Sequence, residues 1–182
     1  MIFSKRLFWL SAASLLLTAA APAGASELRF SPADTMITSF DVFPVHVAVD
    51  AIAGIMGYNI TATITGDPCV QVQDVVEGGL PGSDGDPTFF RWLNPGDAGA
   101  VTVNGSVLGT TVDGPGILFT IYLKALCPGT AWVDFGYSDL RNGVNVSIPH
   151  ECAGPARIVI DEVIPVDESS WGAVKSLFRA TR

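Results

Sequence analysis

The stretch "GYNITATITGDPCVQVQDVV", residues 57–76, alternates apolar and polar residues, stops at Gly-Asp-Pro, and alternates again. A period of two belongs to an extended strand with one buried and one solvated side, so the stretch predicts two strands joined by a turn. In the first of them Tyr58, Ile60, Ala62 and Ile64 form the buried set, which turns Asn59, Thr61 and Thr63 outward. Threonine is a good strand former, so propensity alone accounts for those residues as a solvated face. Whether the face does more depends on the rest of the chain.

Runs of the same kind recur at 28–31, 42–50, 58–65, 70–76, 88–93, 100–108, 116–125, 130–137 and 156–163. They are rich in Val, Ile, Thr and Phe, and Gly, Pro, Asn and Asp separate them. Between residues 26 and 166 no long segment repeats apolar residues every 3.6 positions, which disfavours helix-on-sheet folds. The pattern therefore predicts an all-β, antiparallel sandwich of about nine strands. By the same alternation, Thr102, Asn104 and Ser106 point outward on one run, and Trp132 and Asp134 on another. Trp132 either anchors a partner or covers the edge of the sandwich.

At 182 residues, 48% apolar and 15% charged, the chain has the make-up of one globular domain. Its formal charge is -8, with no basic cluster to neutralise a phosphate backbone, which argues against a nucleic-acid partner. Residues 1–25 read as an export signal. Lys5 and Arg6 are the charged start, 7–21 the apolar core, and Ala23-Gly24-Ala25 the cleavage site. Losing that leader would take the net charge to -10 and leave no later segment apolar enough to span a membrane. The expected location is secreted or at the cell surface.

Export permits disulfides, and the three cysteines, Cys69, Cys127 and Cys152, allow one pair and one leftover. None belongs to a Cys-x-x-Cys, and His46 and His150 are far apart, so no metal site is expected. Asp84 and Asp86 stand two apart in "GSDGDP" without the later ligands of a calcium loop, and read as a solvated turn. Asn59, Asn104 and Asn145 begin N-x-[ST] triplets, of which Asn104-Gly-Ser reads as strand and turn chemistry rather than a glycosylation site. There is no G-x-S-x-G, H-E-x-x-H or Gly-rich phosphate loop, so neither catalysis nor a cofactor is expected. A sugar-binding reading stays open through Phe89, Phe90, Trp92 and Trp132, although "TFFRWLN" must bury one alternating set, either Phe90 and Trp92 or Phe89 and Leu93.

Taken in order, four pieces of the chain resemble the cohesin family. They are the strand, Asp-Pro and second alternating segment of 57–80, and "FFRWLNPGDAGAVTVNGSVLG" (89–109). "GILFTIYLKAL" (116–126) follows, and then the Gly-Thr turn, strand and Ser-Asp-x-x-Asn-Gly loop of 129–144. The resemblance spans about 28–163 and implies a nine-stranded jelly-roll sandwich, related in fold to some cellulose-binding modules. It also implies a protein partner, dockerin-like in the family's manner, with a carbohydrate-binding module as the alternative. In that family the partner sits on one sheet face, which here would present Asn59, Thr61, Thr63, Thr102, Asn104, Ser106, Trp132 and Asp134. Aligned on Asp67 and Pro68, with one extra residue at Thr65 or Gly66, Asn59 stands where the family often has Asp, and Gly57 where it often has Asn. The resemblance further implies a Cys69–Cys127 disulfide. Strand 116–125 would lie antiparallel beside the one starting at Val70, and the strand after Cys152 would run parallel to 116–125 in the same sheet, leaving Cys152 a thiol.

The expected organisation is a signal peptide (1–25), a cohesin-like β-sandwich (26–166) and a C-terminal tail (167–182). In the tail Ser169 or Ser170 can cap a short amphipathic helix striped by Trp171, Val174, Leu177 and Phe178.

Overall fold

A computed structural model describes residues 26–66, 70–94 and 99–162. The expected signal peptide and the expected C-terminal helix lie outside the described residues, as does Cys69.

The alternating runs become strands β1 (Glu27–Ser31), β2 (Asp34–Thr38), β3 (Val42–Val49), β4 (Gly57–Gly66), β5 (Val70–Glu77) and β6 (Thr88–Leu93). They continue as β7 (Ala100–Val107), β8 (Gly116–Ala125), β9 (Gly129–Arg141), β10 (Glu151–Cys152) and β11 (Ala156–Asp161). Two sheets form, one in the order β10-β1-β3-β8-β5 and the other β2-β11-β9-β4-β7-β6. The all-β class and the sandwich stand as expected from the alternation.

Three expectations need correction. The sheets are mixed, because β10 lies parallel to β1 and β2 parallel to β11. Those two short strands also raise the number beyond nine. Their sequences carry little signal, since β10 is two residues long and "DTMIT" is a five-residue edge strand just after Pro32. The strand after Cys152, β11, joins the six-stranded sheet instead of lying in the sheet of β8.

The core fills the space between the sheets, as alternation dictates. Val45, Val47, Leu118, Phe119 and Ile121 from one sheet meet Ile60, Ala62, Val101, Val103, Val133 and Ile158 from the other in one buried cluster. Tyr58 of β4 stacks on Phe119 of β8 with ring centroids 6.0 Å apart, and its hydroxyl donates to the Leu118 carbonyl at 3.3 Å. Burial pushes the Tyr58 phenol well above its ordinary pKa, so it remains a neutral donor. That ring passes over Gly105 of β7, where a Cβ would come within 2.1 Å of the Tyr58 Cζ, so only glycine fits there. Phe30 of β1 stacks on Phe135 of β9 at 4.0 Å and ties the sheets near their other edge.

Candidate recognition face

The antiparallel ladders of β9, β4, β7 and β6 set the outward side chains in rows. One row runs Tyr137, Thr61, Thr102, Leu93, and the next Asp139, Asn59, Asn104, Arg91. A third runs Arg141, Gly57, Ser106, Phe89, while on the far side Asp134 lies opposite Thr63 and Trp132 opposite Thr65. All eight residues singled out from the sequence therefore share the outer face of one sheet. Asn59, Thr61, Thr63, Thr102, Asn104 and Ser106 are half-buried there, and Trp132 and Asp134 are exposed.

Their surroundings differ. The hydroxyls of Thr61 and Thr102 are hydrogen-bonded at 2.9 Å. Ser106 donates to the Met56 carbonyl at 3.1 Å, so its hydroxyl is engaged by its own fold. Asp134 accepts from the Phe135 amide at 2.8 Å. The carbonyl oxygen of Asn59 is buried without a hydrogen-bond partner. Trp132 stands on the face with Arg157 of β11 over its ring at 5.9 Å, and Arg157 also reaches Asp34 of β2 at 3.6 Å. Of the two alternating sets in β6, Phe90 and Trp92 pack against the core, while Phe89 and Leu93 are 51% and 46% exposed.

Tyr137, Asp139 and Arg141 were not expected on this face. Counting alternately from Trp132 and Asp134 would turn Gly136, Ser138 and Leu140 outward. A bulge between Thr61 and Ala62 on β4 places one extra residue in β9, because Thr61 pairs with Tyr137 and Ala62 with Phe135. Gly136 is that residue, and from it onward the alternation reverses. A glycine inside a strand run was the available signal. Asp139 is almost fully covered, yet it accepts from Ser147 Oγ at 2.8 Å and from Arg141 Nε at 2.7 Å. The Ser147 hydrogen bond and the Arg141 guanidinium hold its carboxyl below the usual carboxylate range, against the opposing pull of burial. Arg141 also donates to the Asn145 carbonyl at 3.1 Å, which fixes the β9–β10 loop over the end of the face.

Among the described residues no group of three or more His, Cys, Asp or Glu side chains is arranged to hold a metal ion, and no helix is long and apolar enough to cross a membrane. Cys152 is free and exposed. Its sulfur lies 3.2 Å from Ser138 Oγ, which in turn is 2.9 Å from His150 Nε2.

The arrangement defines an all-β sandwich module with one open, side-chain-rich sheet face. No protein-family model matches the sequence, and no curated protein matches it. Solved structures do match. A non-cellulosomal cohesin of the hyperthermophilic archaeon Archaeoglobus fulgidus has a TM-score of 0.62 at 12% identity, covering 82% of this chain and 97% of that one. A type I cohesin from a cohesin–dockerin complex of Clostridium thermocellum gives 0.63 at 9%, with 79% and 99% covered. A type II cohesin domain from the cellulosome of Acetivibrio cellulolyticus gives 0.61 at 14%, with 74% and 95% covered. This chain is a cohesin-like domain in its fold.

Proposed function

We propose that the chain is an exported, non-catalytic recognition module that binds a protein partner through the outer face of its six-stranded sheet. The observation that carries this reading is the convergence of outward Asn, Thr, Trp and Tyr residues from β4, β7 and β9 on one open face. Such a mix of amide, hydroxyl and aromatic groups suits a protein interface with a few ring anchors and a polar surround. The cohesin-like fold supports a dockerin-bearing partner. Gly57, standing where cohesins often have Asn, offers no side chain for a family-typical dockerin contact there, and the partner's specificity then rests on the other residues of the face.

Calorimetric titration of the exported chain with purified type I and type II dockerin modules tests the reading. Binding that is lost in Thr61→Arg, with melting unchanged, supports it. No binding to either type, together with retention of the protein on insoluble polysaccharide, would replace it with the carbohydrate-binding alternative.

Residues 1–25 serve as the export signal in this proposal, and 167–182 as an appended amphipathic tail, with the protein secreted or held at the cell surface. We also propose a bridge between Cys69 and Cys127. In its support, Val70, the residue after Cys69 in sequence, pairs with Ala125, two residues before Cys127. Cys152 pairs with Leu28, Leu28 with Val49, and Val49 with Gly116, which puts Cys152 at the opposite end of β8 from Cys127.

A further inference from the structure

The row Arg141, Gly57, Ser106, Phe89 has a gap, because Gly57 contributes no side chain between two residues that do. The gap opens into a depression of about 520 Å³ whose lining includes Asn59, Phe89, Asn104, Asp139, Arg141 and Asn142. That volume falls within the roughly 300–1,000 Å³ of small-ligand sites and well exceeds one amino-acid side chain.

We infer that this notch binds one neutral, hydroxyl-rich ring, a hexopyranose unit. Asn59 lines the notch, and its carbonyl oxygen, covered and unpartnered, gains a hydrogen-bond donor from a ligand there when its amide turns toward the opening. Arg141 gives Nε to Asp139 and Nη1 to Asn145, and Ser147 holds the other carboxylate oxygen, so the two charges offset each other and the notch as a whole favours a neutral ligand. The chain's net charge of -8 further disfavours an anion. What the lining does offer is planar amides that both donate and accept, beside the half-exposed ring of Phe89. A pyranose has both complements, hydroxyls that donate and accept at its rim and an apolar ring face for the aromatic. This site does not rest on the protein-partner reading, since the notch occupies one end of the face and Thr61, Thr63, Trp132 and Asp134 lie outside its lining.

The test is an NMR titration of the exported chain with methyl glucoside, methyl mannoside and methyl galactoside, with cellohexaose alongside and glycerol as the ringless control. Saturable shifts at Gly57, Asn59, Asn104 and Asn142 with at least one glycoside, and none with glycerol, are expected. Cellohexaose shifting the same residues would mark a polysaccharide chain as the source. A methyl glycoside acting alone would mark a terminal sugar, such as one carried by a glycoprotein. Gly57→Leu should abolish the shifts while leaving the fold intact, because a Cβ there meets only ordinary contacts, 3.5 Å from the Gly105 carbonyl oxygen and 3.9 Å from Ser106 Oγ. Phe89→Ala, at a half-exposed ring, gives a second variant with the same expected loss. The inference is overturned if no glycoside gives a saturable shift, or if Gly57→Leu and Phe89→Ala both titrate like the unaltered chain. Dockerin binding that survives in Gly57→Leu while sugar binding disappears separates this site from the protein interface.

Discussion

The outer faces of the two sheets are built from similar strands and treat their polar groups differently. On the five-stranded sheet two pairs of side chains close on each other: Arg29 bridges Asp50 through two hydrogen bonds of 3.1 Å, and His46 Nδ1 meets Thr120 Oγ1 at 2.8 Å, while Glu77 at the end of β5 keeps one carboxylate oxygen unpartnered. On the six-stranded sheet Asn59 is left with an unmet acceptor, and Phe89, Leu93, Trp132 and Tyr137 all stand open. Paired side chains have less to offer a partner than open rings and an unmet acceptor, and this difference supports the proposal that the six-stranded side of the sandwich is the one that recognises.

The comparison can be broken most severely from the core both faces share. Phe119→Ala removes a fully buried ring that touches Tyr58 across the sheets, and should cost about 3–5 kcal/mol of stability by chemical denaturation. Loss of recognition in that variant must track unfolding; selective loss in a folded protein would mean that the core ring, not the face, tunes binding. Next in size is the proposed bridge. Cys127→Ser should lower stability by roughly 4 kcal/mol in the chain-entropy model, with measured values often smaller. Non-reducing peptide mapping decides the pairing, and a peptide linking Cys127 to Cys152 would refute it together with the register across β1, β3 and β8.

Trp132→Ala tests the six-stranded face itself. If the ring is an anchor, partner affinity should fall by about 2 kcal/mol or more, with the melting temperature nearly unchanged. Asp139 adds a pH signature to the six-stranded face. Because its pKa is lower in the folded chain than in the unfolded one, its contribution is fully present above the unfolded carboxylate value of about 4. That contribution is lost as pH falls through the lower folded value. Asp139→Asn should therefore flatten the acid limb of the stability curve measured below about pH 4. The smallest effects belong to matched single substitutions on the two faces. Arg29→Ala, in a half-exposed ion pair, should cost less than about 1 kcal/mol and leave binding untouched. Asn59→Ala should shift stability by less than about 0.5 kcal/mol while weakening the partner. Early melting of Asn59→Ala with affinity retained would make that residue structural and overturn the assignment of faces.

Much of this face was legible in the sequence wherever alternation ran unbroken. In β4 and β7 each outward residue follows from Tyr58, Ile60, Val101 and Val103 being buried. Trp132 and Asp134 followed in the same way. The phase of β9 beyond Gly136 was not legible, because a bulge is set by pairing with the neighbouring strand and leaves only a glycine as its local trace. The parallel strands β2 and β10 escaped for a related reason: a five-residue and a two-residue strand gain their stability from partners distant in sequence, not from their own pattern. The choice within "TFFRWLN" was open for want of a reference. Pairing of Phe90 with Gly105 and Trp92 with Val103 fixes it, since those partners face the core.

The extra residue at Gly136 gives β9 a property distinct from that of its neighbours. A strand in simple alternation can lose a residue near its end and shift only the short remainder beyond the deletion. In β9, dropping Gly136 would instead remove the bulge, and Tyr137, Asp139 and Arg141 would keep their outward side and Leu140 its place in the core. The bulge is therefore a point in the interior of β9 where its length can change by one residue without turning either half over, a tolerance that a strand in unbroken alternation lacks.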